Sequence, residues 1–76
     1  MREKADYILI TFDTTAQAVA MESYCQSQGI PGRLIPVPAA VSAGCGICWR
    51  IKPEEFRVYE TLLRRMAYGR LAEVRL

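Results

Sequence analysis

The stretch from Tyr7 to Phe12, Tyr-Ile-Leu-Ile-Thr-Phe, is a run of β-branched and aromatic residues of strand length with almost no break in its apolar character. A run of that kind predicts a central strand. Side chains alternate along a strand, which puts Ile8, Ile10 and Phe12 on one face and Tyr7, Leu9 and Thr11 on the other. The first set is the expected core.

The rest of the chain supplies what such a strand needs around it. Asp13-Thr14-Thr15 offers helix-capping oxygens, and Thr14 with Gln17 has the spacing of a capping box. The helix that follows presents Ala18, Met21, Tyr24 and Cys25 as its inward stripe, and Gly29 fits its left-handed terminus before Ile30 and Pro31. Cys25 on that stripe reads as a small buried hydrophobe. Residues 32–37 are expected to form a short second strand that lies at a sheet edge or ends early, because Pro36 and Pro38 lack amide donors. Residues 38–46 are then a loop of about nine residues, longer than the usual four to six.

Ile47 to Lys52 alternates again. Ile47, Trp49 and Ile51 should face the helices, while Cys48 points with Arg50 to the other side, leaving both loop thiols reachable from one side. Pro53 opens a second helix whose stripe is Phe56, Tyr59, Leu63 and Met66, with Glu54 and Glu55 at its positive end. Arg64 and Arg65 are expected in its last turn and Gly69 as its stop, before a final strand from Leu71 to Leu76. The order is strand, helix, strand, strand, helix, strand. That predicts an α+β, ferredoxin-like βαββαβ arrangement, residues 1–76 as a single domain, with both helices on one face of an antiparallel sheet. Leu9 and Ile35 would lie on the opposite, open face, which suits a homodimer or a partner unless they are simply scattered apolar residues.

Composition narrows the function classes. At 76 residues the chain buries only about 60% of its unfolded surface, so the core must be well patterned. The net charge is +2 with no histidine, and eight of the ten cations are arginine. A small anion or an acidic partner suits that balance better than nucleic acid. Without histidine, Ser-His and Cys-His nucleophile pairs cannot be built. The glutamates fit exposed or capping positions, and the glycines do not fall at the spacings of nucleotide-binding loops. Three cysteines cannot all pair within one chain, the N-terminus lacks a signal-peptide pattern, and no run approaches the ~20 apolar residues of a membrane span. The expectation is a cytoplasmic protein with no membrane and no nucleic-acid partner.

The chemistry concentrates in Ser42-Ala43-Gly44-Cys45-Gly46-Ile47-Cys48. Glycines on either side of Cys45 strip away shielding side chains, so amide N–H groups of Gly44 and Gly46, with Ser42 and the cation of Arg50, could stabilise a thiolate or an anion brought to it. Three chemical readings stay open. Cys45 could carry a sulfur or selenium atom as a persulfide or its selenium analogue, with no cofactor and no metal. Cys48 could resolve a mixed disulfide on Cys45, although a strand rather than a helix follows the motif. Two thiols could bind Cu(I), or half of a zinc shell completed by Cys25 or a second subunit. A fourth reading is structural: the Gly-Cys-Gly turn leads into a strand, and the domain is a noncatalytic binding or oligomerisation module.

Gly29-Ile30-Pro31, Leu34-Ile35-Pro36-Val37-Pro38 and Ser42-Ala43-Gly44-Cys45-Gly46, followed by an apolar strand and Arg50, together resemble a family of small bacterial proteins described as selenium/sulfur carrier protein-like. The resemblance spans nearly the whole chain. It implies a carrier cysteine at Cys45 and implies donor and acceptor proteins as partners. Cys48 departs from the family's pattern, since similar proteins look to carry a small residue there.

Overall fold

The computed structural model describes residues 5–39, 41, 44–66 and 68–76. Four strands and two helices follow one another as β1 (Asp6–Thr11), α1 (Thr15–Gln28), β2 (Arg33–Pro36), β3 (Ile47–Ile51), α2 (Pro53–Leu63) and β4 (Leu71–Arg75). The sheet is antiparallel throughout, in the order β2-β3-β1-β4. This is the ferredoxin-like α+β arrangement that the alternation of elements predicts. β1 is central, and the proline-bounded β2 lies at an edge.

Local chemistry accounts for the helix boundaries. The Thr14 hydroxyl accepts from the Gln17 amide at 3.2 Å, and the Gln17 side-chain carbonyl accepts from the Asp13 amide at 2.8 Å. Gly29 closes α1 in the left-handed region at φ 68°. Pro53 starts α2, and the Glu55 carboxylate accepts from the Lys52 amide at 3.4 Å. The second helix ends earlier than its sequence suggests. Its last residue is Leu63, so Arg64 caps it and Arg65 lies beyond it, while Gly69 does not serve as its stop. Gly69 instead donates its amide to the Thr11 carbonyl at 2.7 Å, a bond that requires the chain to leave the helix in time to reach β1.

Both helices pack on one sheet face. Ile8, Ile10, Phe12, Trp49 and Ile51 meet Ala18, Met21, Cys25, Phe56 and Leu63 there in one buried cluster, with Tyr24, Tyr59 and Met66 at its margin. Cys25 is fully buried on the stripe assigned to it. Burial of a side chain the size of Leu63 stabilises the fold by roughly 1.5–3 kcal/mol.

The opposite face differs from the open surface expected of it. Leu9 and Cys48 both have 0% exposure although neither belongs to the helix-side cluster. Pro38 and Val41 stand with Thr11, Ala72 and Val74 around one hollow, so the β2–β3 connection reaches across from the β2 edge to β4. Arg50 covers part of the same face, because it lies directly opposite Leu9 and its guanidinium sits 4.7 Å from the centre of the Tyr7 ring. Ile35, Ala72 and Val74 remain half-buried.

Candidate functional site

The connection that carries Cys45 is tied down at both ends. The Val37 amide donates to the Gly46 carbonyl at 2.9 Å, which extends the β2–β3 ladder by one step and closes the loop behind it. Inside the loop the Cys45 amide donates to the Phe12 carbonyl at 3.2 Å, docking the turn on the end of β1, just ahead of α1. The two flanking glycines have separate physical reasons. A Cβ on Gly44 would stand 2.7 Å from the Phe12 carbonyl oxygen, so only glycine lets the two backbones approach this closely. Gly46 has φ 84°, the turn that swings the chain into β3.

Cys45 itself is partly exposed, rests against the helix-side core, and directs its thiol toward the Ile47 carbonyl at 3.6 Å. Cys48 is on the other layer. It lies between Thr11 and Ile35 in the sheet register and is fully buried, so the two loop thiols do not share one accessible side. Burial pushes the Cys48 thiol above its ordinary value, and the neighbouring Cys45 adds to that. Burial alone raises Cys25 to about 11. Both buried thiols therefore stay protonated and shielded near neutral pH, and Cys48 is not the surface thiol that a simple strand alternation suggests.

The remaining expected participants are dispersed. Arg50 lies within β3, on the same face as Cys48, and its guanidinium is engaged with Tyr7. The Cys45 amide is consumed by Phe12, which removes it as a donor to a bound anion. Ser42 and Ala43 lie outside the described residues.

What the fold does bring to this end of the sheet is Arg70. The Thr11 amide donates to the Arg70 carbonyl at 2.8 Å, the Arg70 amide donates to the Thr11 hydroxyl at 2.9 Å, and that hydroxyl donates back to the Arg70 carbonyl at 3.3 Å. Arg70 then lines the hollow with Pro38 and Val41. Nothing local in the sequence marks Arg70, because the pairing that places it spans nearly the whole chain. Among the described residues no three or more His, Cys, Asp or Glu side chains converge as a metal shell. Nor, among them, is any helix long and apolar enough to cross a membrane.

A small α+β domain with one partly exposed cysteine on a glycine turn is the class that these features define. The family model "Putative Se/S carrier protein-like" matches residues 7–69, and the chain belongs to that family. No curated protein and no solved structure matches it.

Proposed function

We propose that this protein carries sulfur or selenium on Cys45. The observation that carries the reading is that Cys45 alone among the three cysteines keeps solvent exposure, while Cys25 and Cys48 are fully buried. The Cys45 thiolate attacks the terminal sulfur of a donor persulfide. A new sulfur–sulfur bond forms on Cys45, the donor's own sulfur–sulfur bond breaks, and the donor leaves as a thiolate. An acceptor thiolate then attacks the same terminal atom, and Cys45 leaves in turn. The cycle is redox-neutral overall, and selenium follows the same path as a selenium-terminated analogue. Membership of a carrier family supports the reading and implies donor and acceptor proteins.

The roles of the neighbours follow from their positions. Gly44 and Gly46 hold the sulfur clear of bulky side chains. Arg50 acts away from the sulfur, and Cys48 acts as packing that a resolving role would first have to expose. Three free thiols suit a reducing cytoplasm. A homodimer through the sheet face would rest on the half-buried Ile35, Ala72 and Val74 rather than on Leu9.

A second reading is favoured by a specific observation: backbone geometry alone explains both glycines of the turn. The loop would then be a structural element of a binding module. Transfer of sulfur from a low-molecular-weight persulfide to an acceptor thiol, compared for the wild type, Cys45→Ser and Cys48→Ala, separates the two. The carrier reading expects Cys45→Ser to abolish the protein's contribution and Cys48→Ala to retain it. Equal transfer by the wild type and Cys45→Ser would leave the structural reading.

A further inference from the structure

The sheet register sets Arg33 of β2 directly opposite Arg50 of β3, on the face away from the helices. Directly paired residues on one face have Cβ atoms about 4.5–5.5 Å apart, and like charges at that spacing repel. Among the described residues the ion pairs are Arg64 with Glu60 and Arg75 with Asp6, and neither involves this pair. Glu55 lines the same hollow as Arg33, Arg50, Tyr7 and Lys52; its carboxylate accepts from the Lys52 amide, and its charge offsets one of the hollow's three cations. Lys52 adds a third cation on the rim. Arg50 is steadied over the Tyr7 ring at 4.7 Å, and Arg33 is exposed.

We propose that the Arg33–Arg50 pair is a binding site for a phosphate-class dianion, presented at the β2–β3 side of the sheet. Two planar guanidinium forks side by side offer paired N–H donors and two positive charges. A tetrahedral dianion neutralises both, whereas a single carboxylate neutralises one. The aromatic ring beneath Arg50 holds one fork in place before the ligand arrives, which lowers the ordering cost of binding. The site is at the far end of β3 from Cys45 and does not depend on the carrier reading.

The test is a titration of the full chain with inorganic phosphate at constant ionic strength and neutral pH, followed by isothermal calorimetry, with phenyl phosphate as a parallel probe and acetate as a control. The wild type should bind phosphate saturably, Arg33→Gln should weaken binding about tenfold or more, and Cys45→Ser should leave it unchanged. Arg50→Lys keeps the charge but loses the fork, so it should weaken binding while the far-ultraviolet circular dichroism stays native. Tighter binding of phenyl phosphate assigns the site to a phosphoryl group on a larger molecule, and equal binding assigns it to the free ion. Absence of saturable binding, an Arg33→Gln variant that binds as the wild type does, or acetate binding as tightly as phosphate would each overturn the proposal.

Discussion

The Cys45 amide and the Phe12 carbonyl, far apart in the chain, meet at 3.2 Å, and this contact fixes the loop cysteine against the end of the central strand. Gly44 sits at the closest point of that approach. Adding a methyl group there sets a Cβ 2.7 Å from the Phe12 oxygen, inside any real contact distance. Gly44→Ala should therefore cost about 1–3 kcal/mol in urea denaturation.

Gly46→Ala separates strain from crowding. Nothing lies within 4 Å of a Cβ at Gly46, so its penalty comes only from φ 84° and should be about 1–2 kcal/mol. Its effect should persist in a double variant with Gly44→Ala, measured in the same denaturation series.

The three thiols should react very differently in the native protein. Iodoacetamide at neutral pH, mapped by peptide mass spectrometry, should label Cys45 and leave Cys25 and Cys48 slower by about two orders of magnitude or more, since both must wait for opening of the fold. In denaturant all three should label alike.

Alkaline stability should fall in a defined window. Cys25 has a folded value of about 11 against an ordinary 9.0, so between those values the folded state binds more protons than the unfolded one. The associated stability is intact below about pH 9 and is lost as pH rises toward 11, an amount of at most about 3 kcal/mol. Cys48 contributes in the same direction. Cys25→Ala should flatten the decline seen in urea midpoints across this range, at the expense of some packing at neutral pH.

Trp49 reports on the core. It is 3% exposed, and its indole N–H donates to the Pro31 carbonyl at 3.3 Å. Its emission should be blue-shifted and resist iodide quenching, and Trp49→Phe should cost at least about 1 kcal/mol from the lost hydrogen bond.

Much of the fold was readable because local signals agreed with one another. Thr14 and Gln17 cap α1 as their spacing implies, Gly29 ends it, and Ala18, Met21 and Cys25 are the buried stripe. Pro36 and Pro38 place β2 at an edge. The misreadings share a physical origin in contacts that no local pattern encodes. Strand alternation alone put Cys48 on an open face, but it cannot see a loop folding back across the sheet. Gly69 looked like a helix stop because glycine often is one, yet its amide is needed by Thr11, and α2 yields its last turn to that bond. At the site, the Cys45 turn was evident from its glycines. The seating of Arg50 on Tyr7 and the pairing of Arg70 with Thr11 were not, because the first depends on which way a long side chain lies and the second on a contact between residues far apart in the chain.

The most direct test of the carrier account is to incubate the reduced protein with a low-molecular-weight persulfide, then locate any added sulfur by mass spectrometry of the intact chain and its peptides. The account predicts one extra sulfur atom on Cys45, removed by an acceptor thiol and absent from Cys45→Ser. Sulfur that never appears on Cys45, or that loads Cys45→Ser as fully as the wild type, would contradict it.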